Sequence, residues 1–456
     1  MPNYEIDMSK GSIFKNLIRF ALPLMLTNLL QILYNTADTV VAGRFEGSDA
    51  LAAIGATSYL HNLIVNLFLG LSIGAGVVVS KKFGAKDNPG LQKTVHTTVA
   101  LGGIMGVACM IVGLLFCKPL LGVMGTPSDV IDTSALYMRI VFLGIPAAMV
   151  YNFCGAILRS VGDSKRPLYI LSATGLLNVI LNIVFIVCLR WGVVGVALAT
   201  VIANYVSALA VLYVLIKSDT SYKLKLKELT LDKKDTVEIV KIGLPAGLQS
   251  CMFSLSNMVI QWALNGLGSG AVAGNAAAYS IEYFGYILVV SLYQATLISV
   301  GQNYGAKEKK RIYKTMRISV LCGFLVGMVF GVLVTVFARQ LLGIYITDSR
   351  EAIEYGVQRI LIGVLPYAIC GVMEQFAGLL RGVGKSLIPA INTLVGTCAL
   401  RLVWVFFVFP HNPLGNEYAV LWLYTCYPIS WTICTLMHIV TFLVIRKNVM
   451  KKMLEI

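Results

Sequence analysis

The sequence predicts an all-α polytopic membrane protein, with twelve transmembrane helices arranged as two pseudo-symmetric six-helix bundles around a central cavity. Three observations lead to this prediction: the composition, a series of long apolar segments, and an internal repeat. Of the 456 residues, 57% are hydrophobic and 13% are charged, and the mean hydropathy is +0.78. This composition excludes an ordinary soluble protein. The length of the apolar runs favours helices over the short alternating segments of a β-barrel.

Twelve apolar segments are long enough to cross a bilayer, for which about 20 residues suffice. The predicted spans are 15–42, 50–80, 91–117, 131–157, 166–189, 193–216, 236–265, 271–302, 312–338, 352–379, 386–409 and 417–445. Several of them exceed the length that a bilayer requires, so we expect tilted or kinked helices.

The distribution of basic residues predicts the orientation in the membrane. Of the 37 Lys and Arg residues, 29 lie at the two termini, in the even-numbered loops or at the span ends beside them, 5 lie in the odd-numbered loops, and 3 lie elsewhere inside spans. Cytoplasmic loops carry the excess of basic residues, so both termini are predicted to be cytoplasmic in the cell membrane. The same rule accounts for the net charge of +15 without a nucleic acid partner.

Four short motifs recur in the same order in the two halves of the chain, at an offset of 220 to 222 residues. The pairs are ALP and GLP, FGAK and YGAK, LLGVMGT and LLGIYIT, and LRSVGDSKRP and LRGVGKSLIP. Such a regular offset indicates a duplication. Because each half holds an even number of spans, the two lobes are expected to be related by an axis along the membrane normal. We predict lobes at 1–216 and 236–456, joined by a cytoplasmic linker at 217–235.

The first span carries a carboxylate on a polar helical face. Asn28, Gln31, Asn35 and Asp38 follow one another at helical spacing, and Pro23 precedes them as a predicted hinge. A charged side chain inside a bilayer costs about 2.5–3.5 kcal/mol on insertion scales, so such residues face protein or a watery cavity. We therefore expect this face to line a cavity. A structural carboxylate held by amides is the alternative interpretation of Asp38.

The ordered motifs and the Asp downstream of ALP resemble the multidrug and toxic compound extrusion (MATE) family, in its prokaryotic form. The resemblance covers nearly the whole chain. It implies a pair of six-helix bundles that exports organic cations or other amphipathic compounds, driven by entry of protons or sodium ions.

The resemblance also implies a cation-coupling cluster in the first lobe. Asp38, Asn178 and Thr200 match three places of that cluster, and Asn182 stands where the family has a second carboxylate. With one carboxylate missing, a proton is favoured over sodium as the coupling ion. A weaker sodium site at Asp38, Asn178 and Thr200 stays open.

The second half carries its own polar stripe. Tyr279, Glu282 and Tyr286 share a helical face on which a carboxylate between aromatic rings suits a flat organic cation. Pairing of Glu282 with Arg401 is the alternative, and Glu374 competes for the same arginine. For Arg139 and Arg359, near the outer span ends, we expect snorkelling or pairing inside a lobe. Asn257 and Gln261 of the seventh span and Glu374 of the tenth complete the predicted substrate cavity.

We thus predict a secondary active exporter that works by alternating access, and not an enzyme. No ATPase motif and no cofactor motif occur, so an ion gradient must supply the energy. The expected partners are small organic cations or amphipathic compounds, H⁺ or Na⁺, and membrane lipid, with a monomer as the working state. The first alternative is a flippase for lipid-linked oligosaccharides from the same wider superfamily. The second is an ion channel or a structural membrane protein.

Overall fold

The computed structural model describes the backbone of residues 4–123 and 130–455. Inside these ranges, the side chains of residues 39, 42, 46–54, 56, 58–63, 416, 452, 454 and 455 are not described.

Helices make up the described chain, and no strand occurs within residues 4–123 and 130–455. The α-helices are α1 (Ile13–Gly84), α2 (Asn88–Val123), α3 (Ile131–Ser160), α4 (Lys165–Asn182), α5 (Gly192–Lys217), α6 (Lys233–Asn265), α7 (Ser269–Gly305), α8 (Lys309–Val336), α9 (Ala338–Tyr345), α10 (Arg350–Gly363), α11 (Tyr367–Gly382), α12 (Leu387–Thr393), α13 (Leu400–Val403), α14 (Ala419–Tyr424) and α15 (Cys426–Glu455). The predicted all-α class is confirmed.

The helices agree with the predicted spans. Among the described residues, ten helical segments are long and apolar enough to cross a membrane, and two of them, Ile13–Phe45 and Ile64–Gly84, belong to α1. α10 and α11 form a further pair, bent by 47°. The more polar α6 covers the predicted seventh span.

The repeat is visible in the backbone as well as in the sequence. Lys86 and Lys307, the last residues of FGAK and YGAK, both have positive φ, at 56° and 60°. Gly162 and Gly384, in the loops that follow LRSV and LRGV, have φ of 90° and 87°. Left-handed backbone is uncommon outside glycine, so its recurrence at equivalent places supports the duplication.

Three π-helical segments interrupt the spans, at Ile183–Cys188, Leu394–Ala399 and Trp404–Val408. The first follows Asn182 directly, and the other two flank α13, which carries Arg401. Single-turn π segments often occur at functional sites, because they locally change the direction in which side chains project. The sequence analysis did not predict them.

Two compact units make up the chain: residues 1–7 with 22–243, and residues 8–21 with 244–456. The division therefore falls inside α1 and α6, beside Pro23 and Pro245. The predicted lobe boundaries at 216 and 236 stay predictions, as does the central cavity.

The polar segment that follows α5 packs into the core of the first unit. Tyr222 and Leu224 are buried there against α2, α3 and the end of α5. The backbone N–H of Lys225 donates to His96 Nε2 at 3.0 Å, and that of Asp232 donates to Thr97 Oγ1 at 3.2 Å. This segment is thus an ordered part of the first unit.

Candidate functional site

The structure brings the four predicted ion-coupling residues of the first unit together. Asn182 Nδ2 donates to Asp38 Oδ1 at 2.5 Å and to Asn178 Oδ1 at 3.3 Å. Asn178 Nδ2 donates to Thr200 Oγ1 at 3.4 Å, and that hydroxyl donates to Val196 O at 3.1 Å. We call Asp38, Asn178, Asn182 and Thr200 the coupling cluster.

The two asparagines of the coupling cluster are buried, so their polar atoms need hydrogen-bond partners. Asn182 is fully buried and Asn178 is 5% exposed, whereas Asp38 and Thr200 are half-buried. The amide nitrogen of Asn182 serves two acceptors, but its Oδ1 is buried and meets no hydrogen-bond partner in the described part of the chain. A buried acceptor without a donor is costly, so a proton or a cation at this place is stabilising.

The N-terminal half of α1 lies against α4 at a glycine, which positions the carboxylate. Tyr34 OH donates to Ser172 O at 3.1 Å. A Cβ added at Gly175 would lie 1.9 Å from a carbon of the Tyr34 ring, so any larger residue pushes the helices apart. Tyr137 of α3 lies close enough to Asp38 for an electrostatic interaction.

α1 carries local features that favour a bend. Pro23 is buried within the helix and removes one backbone donor. One turn later, Thr27 Oγ1 donates to Pro23 O at 2.8 Å, a side-chain bond of the kind that bends helices. The hinge role assigned to Pro23 stays a prediction.

The other three residues predicted on the polar face of α1 are more exposed than the buried partners of Asp38. Asn28 is half-buried, and Gln31 and Asn35 are exposed. Their assignment to a substrate cavity stays a prediction.

In the second unit, Glu282 is buried and forms an ion pair with Arg359, which is 2% exposed. The predicted alternative partner was Arg401, but the nearer partner is Arg359 on α10. Pairing inside the lobe therefore applies to Arg359, while its repeat counterpart Arg139 is exposed. The pairing of Arg359 with Glu282 could not be predicted, because residues 77 positions apart on separate helices share no sequence pattern.

Arg401 is fully buried and bonds to neutral groups. Its Nη1 donates to Asn257 Oδ1 at 3.0 Å, and its Nε donates to Ser430 Oγ at 3.3 Å. The predicted cavity residue Asn257 is therefore a partner of Arg401. Gln261, one turn later, accepts from Asn275 Nδ2 at 3.4 Å.

The aromatic stripe of α7 is present, but it leaves Glu282 on the buried side. Tyr279, Tyr283 and Tyr286 are exposed, with neighbouring ring centroids 6.1 and 5.8 Å apart. Tyr283 was not predicted, although it follows Tyr279 at the same helical spacing. Glu374 of α11 is half-buried and has no hydrogen bond or ion pair within the described ranges.

Among the described residues, no group of three or more His, Cys, Asp or Glu side chains is arranged to hold a metal ion. Any sodium ion at the coupling cluster therefore depends on one carboxylate with amide and hydroxyl oxygens.

The family model for MatE matches residues 23–184 and 245–407, one copy in each half. The chain belongs to the multidrug and toxic compound extrusion family. The double match also confirms the duplication, with starting points in α1 and α6 at the two prolines. As a MATE efflux transporter, the protein is a multi-pass integral membrane protein.

Curated relatives agree over nearly the full length. The chain is 28% identical over 436 residues to the probable multidrug resistance protein YoeA of Bacillus subtilis, covering 94% of this chain and 93% of the relative. It is 25% identical over 430 residues to the multidrug export protein MepA of Staphylococcus saprophyticus, covering 94% and 93%.

Solved structures share the fold. An outward-facing multidrug resistance MATE transporter of the MOP superfamily is similar with a TM-score of 0.87 at 22% identity, covering 98% of each chain. A MATE protein in the straight conformation is similar with a TM-score of 0.86 at 22% identity, covering 99% of this chain and 100% of the other.

Proposed function

We propose that this MATE transporter exports cationic or amphipathic organic compounds from the cytoplasm in exchange for protons, with Asp38 as the proton-binding group. The hydrogen bond from Asn182 to Asp38 carries the proposal. The names of YoeA and MepA, relatives described as multidrug resistance and export proteins, support the substrate class.

Asn182 supports the choice of a proton over sodium. When Asp38 is ionised, the amide N–H groups of Asn182 stabilise its charge. When Asp38 is protonated, rotation of the amide presents Oδ1, which otherwise has no partner among the described residues, to the new O–H donor. Both protonation states thus find a complementary partner in the same side chain.

Sodium is the weaker candidate because of its ligand chemistry. Hard cations bind oxygen ligands, preferably charged ones. In the coupling cluster, one carboxylate is available, and the Asn178 oxygen already accepts a hydrogen bond from Asn182. A sodium ion must displace the Asn182 N–H from Asp38, and it shares the Asn178 oxygen with a hydrogen bond.

The two states of Asp38 can bias a conformational change if they favour different packings of α1. A ligand shifts an equilibrium only through its different affinity for the two states. Protonation removes the charge-assisted bond at Asp38 on the same helix that carries Pro23 and Thr27. We propose that α1 rearranges about Pro23 and closes the binding place of the exported compound.

The aromatic stripe of α7 predicted that Glu282 binds an organic cation. Its carboxylate is less suited to that role, since Arg359 already neutralises it. Tyr279, Tyr283 and Tyr286 remain as exposed rings for flat apolar compounds. The family match favours the exporter over the flippase alternative.

Transport into inside-out vesicles tests the proposal. A fluorescent organic cation is supplied outside, and a proton gradient or a sodium gradient is imposed separately with both ions buffered. The proposal predicts accumulation driven by the proton gradient. Accumulation driven by sodium alone contradicts the ion assignment, and no accumulation under either gradient contradicts the transport function.

A further inference from the structure

Arg401 is a buried cation of the second unit that lacks a carboxylate partner among the described residues. Its exposure is 0%, and its side chain lies on α13 between two π-helical segments. Glu282 interacts with it electrostatically, but that carboxylate is bonded to Arg359. A buried guanidinium therefore remains without a bound counter-charge.

The donors of Arg401 are only partly used, and by neutral acceptors. Asn257 Oδ1 accepts a hydrogen bond from Nη1, and Ser430 Oγ accepts one from Nε. Nη2 is buried and meets no acceptor in the described ranges. Arg401 also shares one of its two acceptors, since Tyr427 OH donates to the same Asn257 oxygen at 3.4 Å. A guanidinium carries five N–H donors in a planar fork, and its free edge is matched to an anion.

A second guanidinium strengthens the positive potential at this place. Arg401 lies 3.8 Å from the centroid of the Tyr427 ring, and Arg359 lies 4.8 Å from the same centroid. Nε and Nη1 of Arg359 are also buried without an acceptor in the described part of the chain. Two cations thus share one ring and one bound carboxylate. Cation–π contacts stabilise such groups only partly, and buried charge requires a counter-charge.

We propose that Arg401, with Asn257 and Tyr427, forms a binding site for a monovalent anionic group. Either a free halide ion or the carboxylate of a transported compound supplies this chemistry, because both accept hydrogen bonds from the guanidinium edge. Asn257 and Phe253 of α6 contact the Arg401 guanidinium and are themselves half-buried. The proposed path of the anion to Arg401 runs past these two side chains.

This site is independent of the proposed function. It lies wholly in the second unit, whereas the coupling cluster lies in the first. Its test measures anion binding to the full-length transporter and needs neither a gradient nor transport. Failure of the proton-exchange proposal and failure of the anion site are therefore separate results.

Asn257→Asp is the decisive variant. The substitution keeps the shape of the side chain and places a carboxylate 3.0 Å from Arg401 Nη1, so that the chain supplies its own counter-charge. The variant is expected to fold, because it completes a buried ion pair rather than breaking one. Arg401→Gln removes the cation itself. Asn265→Asp is the matched control, with the same substitution two turns further along α6 at an exposed residue.

Chloride binding to the purified full-length protein is measured by the broadening of the chloride NMR signal, with sulfate at equal ionic strength as the background salt. We expect broadening in the wild type and in Asn265→Asp. In Asn257→Asp and Arg401→Gln, the affinity should fall by about tenfold or more, the size of one hydrogen bond to a charged group.

Acetate then distinguishes the two sources of the anion. Displacement of chloride by acetate assigns the site to the carboxylate of a transported compound, and retention of chloride assigns it to a free halide. Both results support the anion site. Absence of broadening in the wild type, or equal chloride affinity in the wild type and Asn257→Asp, overturns it.

Discussion

Asn182 donates a hydrogen bond to Asp38 across two helices, with 2.5 Å between Nδ2 and Oδ1. The residues lie 144 positions apart, and the bond makes one amide the principal partner of the carboxylate in the first span. The same amide extends the cluster to Asn178 and, through it, to Thr200. We therefore propose that ion choice depends on residue 182 as well as on Asp38.

Replacing Asn182 by Asp tests this dependence. The substitution preserves shape and adds the second carboxylate, so we expect sodium-driven transport to rise relative to proton-driven transport, because carboxylate oxygens are better sodium ligands than an amide. Transport of one organic cation in proteoliposomes under separate gradients measures the ratio. Asn152→Asp is the control, since that Asn donates to Ala148 O of its own helix. An unchanged ratio in Asn182→Asp contradicts this role of residue 182.

Breaking the buried ion pair of the second unit should destabilise the protein strongly. Glu282→Gln leaves the guanidinium of Arg359 buried without a carboxylate, at a cost of about 3–5 kcal/mol. Arg339 and Glu354 form an exposed pair in the same unit, with side chains 65% and 44% exposed, so Arg339→Gln should cost at most about 1 kcal/mol. Thermal unfolding in detergent compares the two. Equal effects of the two substitutions refute the structural role assigned to Glu282.

Gly175→Ala should disturb the contact that holds α1 on α4. The added Cβ overlaps the ring of Tyr34, and overpacking of this kind costs about 1–3 kcal/mol. We expect a lower melting temperature and reduced transport, since Tyr34 lies one turn before Asp38. In Gly103→Ala, the Cβ meets nothing within 4 Å, and no loss is expected. A wild-type melting temperature for Gly175→Ala argues against this packing.

Asp87 stabilises the start of α2, and its contribution depends on pH. Its Oδ1 accepts from the Gly90 N–H at 3.0 Å, and this bond, together with Lys82, holds the pKa of Asp87 below its ordinary value of 3.8. A lowered folded-state pKa means that the stabilisation is complete above the unfolded pKa and is lost as the pH falls through the folded value. Asp87→Ala should cost about 1 kcal/mol at neutral pH.

The repeat supplies the control for Asp87. Glu308 occupies the equivalent place before α8 and makes no capping bond with its side chain. Glu308→Ala should leave the melting temperature unchanged. The deficit of Asp87→Ala should shrink in acid, and a deficit that grows as the pH falls contradicts the capping role.

Much of the fold could be predicted because membrane helices leave a strong local signal. Apolar length gave the spans, and the recurring motifs gave the duplication, which the double MatE match confirms. The π-helical segments left no such signal. They depend on how a span packs, and the residues of IVFIVC and WVFFV differ little from those of an ordinary buried helix.

The residues of the first site were predicted from the sequence more completely than those of the second. The coupling cluster was predicted by resemblance, and the structure joins its four members by hydrogen bonds. In the second unit, the partner of Glu282 was missed, because the alternative prediction paired this carboxylate with Arg401. Which of two arginines meets a given carboxylate depends on helix packing, and the sequence holds no spacing rule for it.

Proton-driven accumulation by Asp38→Asn vesicles, compared with wild-type vesicles of equal transporter content, tests the central claim most directly. Asparagine keeps the shape of the side chain but binds no proton in the physiological range. We expect Asp38→Asn to lose at least about 90% of gradient-driven transport, equivalent to about 1.4 kcal/mol in the barrier. Binding of the organic cation to the purified protein should persist. Full proton-driven transport by Asp38→Asn would show that Asp38 is not the proton-binding group.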